Sequence, residues 1–375
     1  MSVAKNGMPV IAFSQTRVMG GFIVDLCAIA TFKQHFPAKT NLTFLSGDGA
    51  PWKHTLMELC PHLDNAFHTP LAKVSMNLLS KKGYKGALKR GAIDPALDEA
   101  VRHGLHTSWF ILTPNIRGSA YLNLPPTRFQ VPEARQAGLK ERLQSLGADP
   151  NRFMVTFHAR EASYKGDVDS ARNVDPRVYL EAMRHVVSLG GQAVRLGDPT
   201  MTRLPPVDGV IDLTEESDNL MLTAYAMSQS RFAVCTNSSN LHLATAFRIP
   251  LLATDAITEA VFPLYPEHLV LTKEYTAADG KVLRQQALKD SGLMYFEDPP
   301  EGYTVRDCTA AEINLGIDGM MQLTPGVDRW REPQPEPLHT PRADTFDLIM
   351  RSGRQWEHAY FVDLSPLEAG AGSAL

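Results

Sequence analysis

The stretch 231–250, RFAVCTNSSNLHLATAFRIP, carries the pattern that decides the fold. An apolar run, FAVC, stops at the small polar residues TNSSN, and a helical pattern begins at once. A buried strand followed directly by a helix is the repeating unit of parallel α/β sheets. The polar turn has two explanations that the stretch alone leaves open. Either Ser239 or Asn240 caps the helix, or the backbone at the helix start binds an anion.

The same alternation continues through the C-terminal half of the chain. Apolar runs predict strands at FMVTFHAR, QAVRLGD, GVIDLT and PLLATD, and the segment DPRVYLEAMRHVVSLGG predicts a helix. That helix has Asp175 as N-cap, Pro176 at its first position and Gly190 near its end, which is typical of helix boundaries. The repeated pattern indicates a parallel sheet covered by helices on both faces.

A second set of alternating elements lies in the N-terminal half. PVIAFSQ, NLTFLSG and SWFIL read as strands, and FIVDLCAIATFKQHF and KHTLMELC read as helices. The predicted fold class is therefore α/β, with two Rossmann-like domains facing a cleft. We place an N-terminal domain at 1–130, a linker helix at 131–150, a C-terminal domain at 151–325 and a Pro-rich extension at 326–375.

Composition limits the class of function. The 375 residues carry a net charge of −4, which indicates no basic surface for nucleic acid. No stretch approaches the roughly 20 apolar residues of a membrane span. The four cysteines are far apart and form no CxxC pair, so we expect a reducing, cytoplasmic location and no zinc site. Walker, HExxH, GxSxG and GxGxxG motifs are absent from the sequence.

Polar residues follow each predicted strand of the C-terminal half. The carboxyl ends of neighbouring parallel strands lie on one rim of a sheet, where ligands of such folds bind. The residues expected on this rim are His158, Arg160, Tyr164, Lys165, Arg195, Gly197, Asp198, Thr214, Thr236, Asn237, Ser238, Ser239 and Asn240. Because four strand ends agree, they indicate a binding site more strongly than any one of them.

A nucleoside diphosphate suits these residue types. Arg160 can bind a phosphate through two charge-assisted hydrogen bonds. Backbone N–H groups at the start of the helix can receive further phosphate oxygens. Gly197, Asp198 and Thr214 are then placed to meet a base or a ribose.

Structural roles compete with this interpretation. Arg160 can instead pair with Glu161, Asp167 or Asp169. His242, a further predicted contact to the donor, can be a packing residue one turn into its helix. We favour the ligand site because independent strand ends point to the same rim.

The N-terminal half offers candidate groups for a second ligand. RVMGG places Gly20 and Gly21 in a turn between the first strand and the first helix, where a ligand can approach the backbone closely. Asp48, in the turn SGDGAPW, and Asp25, on the first helix, are candidate general bases. Asp48 is also explained as an ordinary turn residue, and Asp25 can point to solvent.

These segments resemble a family of bacterial glycosyltransferases with the GT-B fold. The similarity rests on HAREASYKGDVDSARNVDP, RLGDP and CTNSSNLHLATAF, over about residues 150 to 256. The last segment is distantly similar to the donor-phosphate turn of heptosyltransferases, although Asn-Ser-Ser-Asn replaces the commoner Ser-Gly-Leu. The resemblance implies contacts to the nucleotide-sugar donor from Arg160, Lys165, Gly166, Asp167, Arg172, Asn173, Arg195, Gly197, Asp198 and residues 236–239.

The predicted function is transfer of a sugar, with inversion, from a nucleotide sugar to a hydroxyl-bearing acceptor held by the N-terminal domain. Arg160 and the helix start would stabilise the leaving diphosphate. Asp48 or Asp25 would take the proton of the acceptor hydroxyl. We expect no metal and no other cofactor, since cations and the helix dipole supply positive charge.

Two other functions stay open at this point. A nucleotide-sugar epimerase would use acidic groups on both sides of the sugar and no acceptor. A non-catalytic nucleotide-sugar-binding module would bind the donor and release nothing. The oligomeric state is not predicted.

Overall fold

A computed structural model shows how these elements are arranged. It describes residues 8–14, 18–35, 40–46, 50–68, 109–112, 128–162, 170–216, 220–257, 268–293, 299–324, 362 and 364–367. These residues form two compact units, and the boundary falls between Gln130 and Val131. None of the described helices combines the length and the apolar character that crossing a bilayer requires.

The first unit is built on a parallel sheet. Its elements are β1 (Met8–Ser14), α1 (Met19–His35), β2 (Thr40–Ser46), α2 (Pro51–Leu59), β3 (Asn65–His68) and β4 (Trp109–Leu112). The strand order is β3-β2-β1-β4, and every pairing is parallel. Phe22 of α1 meets Trp52 of α2 edge to face with 5.5 Å between ring centroids, so the two helices pack together. The predicted alternation is confirmed here, and β3 is an additional strand.

The second unit contains a larger parallel sheet. Its elements as far as the last strand of that sheet are α3 (Glu133–Ser145), β5 (Met154–His158), α4 (Pro176–Ser188), β6 (Gln192–Arg195), β7 (Val210–Asp212), α5 (Leu220–Gln229), β8 (Phe232–Cys235), α6 (Ser239–Ala246), β9 (Leu251–Ala256) and β10 (Leu269–Thr272). The strand order is β10-β9-β8-β5-β6-β7, with parallel pairings throughout. The predicted α/β class is therefore confirmed.

The order of the strands creates a reversal point. From β5 the chain builds outward through β6 and β7, then returns to the other side of β5 with β8 and continues to β9 and β10. In open α/β sheets the crevice beyond the carboxyl ends of the strands at such a reversal binds ligands. Here the reversal lies between β5 and β8, which ends in the stretch quoted first.

Helix α4 forms where the sequence predicted it. The Asp175 carboxylate caps its start by accepting a hydrogen bond from the Arg177 backbone N–H at 2.9 Å. Gly190, just past its end, has φ of +85°, a conformation that glycine adopts without strain. The positions that recur every three or four residues are buried in the core: Tyr179, Leu180, Met183 and Val186.

The second unit extends beyond the elements that the sequence predicted. After β10 follow β11 (Glu274–Ala277), β12 (Val282–Leu283), α7 (Gln285–Asp290), β13 (Tyr303–Arg306) and α8 (Ala310–Leu323), with the three strands in a small antiparallel sheet. The Val362 N–H donates to the Val270 carbonyl of β10 at 2.9 Å. A segment close to the C-terminus therefore joins the second unit, although most of 326–375 lies outside the described residues.

Helix α3, which lies in the predicted linker, is bonded to the second unit. Arg142 makes a two-pronged ion pair with the Glu216 carboxylate, at 2.7 Å and 3.0 Å. The compact second unit accordingly begins before α3.

Candidate functional site

The β8–α6 turn holds the start of α6 next to the end of β5. The Thr236 N–H donates to the His158 carbonyl at 3.0 Å, and the Thr236 hydroxyl accepts from the Arg160 N–H at 2.9 Å. Register pairing of His158 with Cys235 brings the two strands to an end at the same level. The structure thus places His158, Arg160 and the TNSSN turn together at the reversal point of the sheet.

The capping explanation for this turn does not hold. Ser238, not Ser239 or Asn240, occupies the N-cap position, and its side chain makes no cap hydrogen bond. The Ser238 hydroxyl lies 2.9 Å from His158 Nδ1 instead. Ser239 and Asn240 are the first two residues of α6, and His242 is half-buried one turn further on. The first N–H groups of a helix have no acceptor within the helix itself, and here the cap side chain leaves them uncapped.

Asn237 is an exception among the buried polar groups. Its side chain is buried, with 2% of its surface exposed, yet neither its amide nitrogen nor its amide oxygen has a partner among the described residues. A buried amide without hydrogen bonds costs roughly 1–3 kcal/mol, so such groups in native proteins call for an explanation. A ligand that hydrogen-bonds to the turn would supply one.

A hydrogen bond to the side chain of Asn173 holds the Arg160 side chain in place. Its guanidinium Nη1 donates to the Asn173 side-chain oxygen at 2.6 Å, and only 5% of the residue is exposed. Glu161, one of the predicted carboxylate partners of Arg160, pairs with Arg195 instead. The other two, Asp167 and Asp169, lie outside the described residues. The contact between Arg160 and Asn173 is therefore one to an amide oxygen.

Lys273 in turn hydrogen-bonds to the backbone of Asn173. Its ammonium group donates to the Asn173 carbonyl at 2.9 Å and to the Asp307 carboxylate at 2.6 Å, and it is 2% exposed. Lys273 was not among the site residues predicted from the sequence. Lys273 directly follows the apolar run LVLT of β10, so the rule applied to the other strand ends would have found it.

His158 is a neutral group in this site. Its pKa is lowered to about 4, chiefly by burial and also by the neighbouring charges of Arg195 and Arg160, while the Asp198 carboxylate opposes the shift. Around neutral pH the imidazole therefore supplies a directed hydrogen bond and no positive charge.

Arg195 has a structural position on the other side of the rim. Its guanidinium pairs with the Glu161 carboxylate at 3.0 Å and with the Asp212 carboxylate at 2.9 Å, and it donates to the Thr202 carbonyl at 2.7 Å. These contacts within the protein give Arg195 a structural role, and its predicted contact to the nucleotide-sugar donor stays a prediction. Thr214 is used in the same way, because its N–H and hydroxyl both donate to Asp212.

Gly197 and Asp198 form the loop after β6. A Cβ on Gly197 would lie 2.9 Å from the Thr214 side-chain methyl group and would collide with the Met201 sulfur, so any other residue there requires these two side chains to move. Asp198 is half-buried and accepts a hydrogen bond from the Thr200 N–H at 2.9 Å. Together with its effect on His158, this places Asp198 on the rim.

In the first unit the predicted glycine turn is wrong. Gly20 and Gly21 belong to the first turn of α1, which begins at Met19. Glycine in a helix costs only about 1 kcal/mol relative to alanine, so two glycines do not prevent a helix from beginning there. Asp25 is fully buried on α1, so it does not point to solvent, and its role as a base stays a prediction.

Five of the predicted site residues lie outside the described part of the chain. Outside it are Asp48, Tyr164, Lys165, Gly166 and Asp167. Arg172 is described and half-buried, and its N–H lies 3.4 Å from the Ser170 hydroxyl.

No protein-family model and no curated protein sequence matches this chain. Solved structures do match it. E. coli ADP-heptose lps heptosyltransferase II is similar at a TM-score of 0.52 and 14% identity, over 85% of this chain and 100% of that one. This chain shares the fold of that heptosyltransferase. The predicted GT-B fold class and the distant similarity to heptosyltransferases are confirmed at the level of fold; the cleft stays a prediction.

Two further structures are similar at lower scores. A glycosyl transferase family 9 protein from Veillonella parvula has a TM-score of 0.48 and 12% identity, over 72% of this chain and 86% of that one. The iron-containing dodecameric glycosyltransferase TibC from enterotoxigenic E. coli has a TM-score of 0.46 and 13% identity, over 85% of this chain and 77% of that one.

The prediction that no metal or other cofactor takes part is corrected by the TibC comparison. TibC is described as iron-containing. Within the described ranges of the present chain no group of three or more His, Cys, Asp or Glu is arranged to hold a metal ion.

Replacement of Arg195 tests its structural position. Arg195→Ala leaves Glu161 and Asp212 without their shared cation, and breaking a buried ion pair in this way costs roughly 3–5 kcal/mol. We expect a loss of that size in the free energy of unfolding, measured by urea denaturation. Arg203→Ala is the control, because its pair with Glu215 is exposed (85% and 55%) and such pairs contribute about 1 kcal/mol or less. Equal effects of the two substitutions would contradict the assignment.

Proposed function

We propose that the chain is a glycosyltransferase whose second unit binds the diphosphate of a nucleotide sugar at the β8–α6 turn. The observation that carries the proposal is the buried amide of Asn237, which has no hydrogen-bond partner among the described residues. It lies in the turn directly before a helix whose cap residue makes no cap bond, and this turn is bonded to the backbone of Arg160. Hydrogen-bond donors and a cation at a sheet reversal suit an anion.

The charges on the rim favour a diphosphate over a cationic ligand. Arg160 is buried and faces an amide oxygen, and the start of α6 contributes the positive end of the helix dipole. His158 is neutral because burial lowers its pKa to about 4. Asp198 is the acidic member of the group, and its half-buried carboxylate suits the hydroxyl groups of a ribose rather than a phosphate.

The proposed reaction is a single displacement at the anomeric carbon. The acceptor oxygen forms a bond to that carbon, and the bond from the carbon to the diphosphate oxygen breaks. The electron pair leaves with the diphosphate, whose growing negative charge Arg160 and the α6 N–H groups stabilise. The acceptor proton passes to a carboxylate, for which Asp48 and Asp25 are the candidates, and the sugar is inverted.

ADP-heptose is the first donor to examine, since the heptosyltransferase of similar fold is named for it. The acceptor would be a hydroxyl-bearing molecule bound by the first unit. A cytoplasmic location, which belongs to this proposal, agrees with the four cysteines being free thiols.

Incubation with a panel of nucleotide sugars tests the function. The panel contains ADP, UDP, GDP, dTDP and CMP sugars, each with and without hydroxyl-bearing acceptors that include lipopolysaccharide. We expect one donor to release free nucleotide at a rate that depends on the acceptor. Conversion of the donor to another nucleotide sugar without release would instead indicate an epimerase, and binding without either reaction would indicate a binding module.

Loss of the Arg160 charge should weaken diphosphate binding. A hydrogen bond to a charged group contributes about 2 kcal/mol, so Arg160→Ala should weaken ADP binding roughly thirtyfold in calorimetry. Arg177→Ala is the matched control, because it removes the same charge from an exposed position of the same unit. Unchanged binding by a folded Arg160→Ala protein would remove Arg160 from the site.

Replacement of Asn237 should weaken ligand binding without lowering the free energy of unfolding. Asn237→Leu removes an amide that makes no hydrogen bond within the described structure, so the free energy of unfolding should stay the same or rise. The affinity for ADP should fall about tenfold, because the ligand loses its partner. Asn173→Leu is the comparison, since the Asn173 amide accepts a bond from Arg160 and its loss should lower stability. A destabilised Asn237→Leu protein with unchanged ADP affinity would contradict the proposal.

A further inference from the structure

Ser238, the N-cap residue of α6, makes no cap hydrogen bond, although its residue type and backbone conformation suit a cap. The Ser238 backbone has φ of −145° and ψ of 175°, which is the extended conformation usual for an N-cap residue. Serine is also among the preferred N-cap residues. Only the direction of the side chain departs from the usual arrangement, because the hydroxyl lies 2.9 Å from His158 Nδ1.

The position of the His158 ring is set by contacts other than the one to Ser238. His158 is the last residue of β5, its carbonyl accepts the Thr236 N–H at 3.0 Å, and 7% of the residue is exposed. The imidazole therefore occupies a fixed place relative to the turn. Since the ring is neutral, it acts on Ser238 through a directed hydrogen bond and attracts no phosphate by charge.

Two acceptors compete for the first N–H groups of α6. A capping serine takes the N–H of the second or third helical residue, here Asn240 or Leu241. A phosphate bound at a helix start takes the same groups. The buried, unpartnered amide of Asn237 beside them is an independent sign that a ligand is accommodated there.

We infer that His158 is a positioning residue that holds the Ser238 hydroxyl away from the cap and so keeps the first N–H groups of α6 available to a diphosphate. The inference rests on the proposed function. It assigns His158 no contact with the ligand, in contrast to the contact predicted from the sequence.

A double-mutant cycle tests the inference with ADP as the probe. In His158→Leu the Ser238 hydroxyl is released to cap α6, and ADP must displace it. We expect binding by calorimetry to weaken about fivefold, in line with the usual effect of a serine cap. In His158→Leu/Ser238→Ala no hydroxyl is left to compete, so the affinity should return to that of Ser238→Ala alone.

Two further variants serve as controls, one that should retain the bond to Ser238 and one that should lose it. His158→Asn places an amide where Nδ1 lies and should retain the bond to Ser238 and the affinity of the wild type. His158→Gln reaches the position of Nε2 instead and should behave as His158→Leu, which covers the case in which the leucine variant does not fold. Thermal unfolding of every variant confirms that the compared proteins are folded.

The outcomes separate this inference from the proposed function. If the wild type binds none of ADP, UDP, GDP, dTDP and CMP, the proposed function fails and the inference fails with it. If the wild type binds but the double variant stays as weak as His158→Leu, His158 touches the ligand directly and only the inference is overturned. Equal affinity of His158→Leu and the wild type also overturns it.

Discussion

The pairing of β5 with β8 is the contact on which the site depends. Their register aligns His158 with Cys235, so both strands end at one level and the two polar segments after them meet. The Thr236 N–H and hydroxyl then bond to the backbone of the β5 end. The chain reverses its direction of growth between these strands, and open α/β sheets bind ligands at such a reversal. The β8–α6 turn thereby lies beside the buried Arg160.

Buried charge on the rim serves two different purposes. Arg195 is neutralised by two carboxylates and ties the loop after β6 to the end of β5. Arg160 is steadied by the amide of Asn173, which Lys273 supports from behind. Arg195, between two carboxylates, stabilises the fold, whereas Arg160, bonded to an amide oxygen, is the arginine proposed to bind the diphosphate. The residue type is the same, and the neighbours decide the role.

Local patterns predicted the elements well and their partners poorly. Helix α4 was located from Asp175, Pro176 and Gly190 because capping chemistry acts within a few residues of chain. The Arg195 pairs were not predicted, since Glu161 and Asp212 lie 34 and 17 positions away in sequence. Gly20 and Gly21 were read as a turn because glycine favours turns, yet α1 begins before them. Packing of the helix against its sheet outweighed that weak local preference.

By itself the sequence determined the alternation of strands and helices, the parallel α/β class and the strand ends where polar residues collect. These follow from hydrophobic periodicity and capping, which are properties of short stretches of chain. Tertiary structure alone decided that the Ser238 hydroxyl lies beside His158 Nδ1 and does not cap α6, that the Asn237 amide has no partner among the described residues, and that Arg195 pairs with carboxylates while Arg160 bonds to an amide oxygen. Each of these depends on which distant side chain arrives within about 3 Å, and only the order of strands in the sheet sets that.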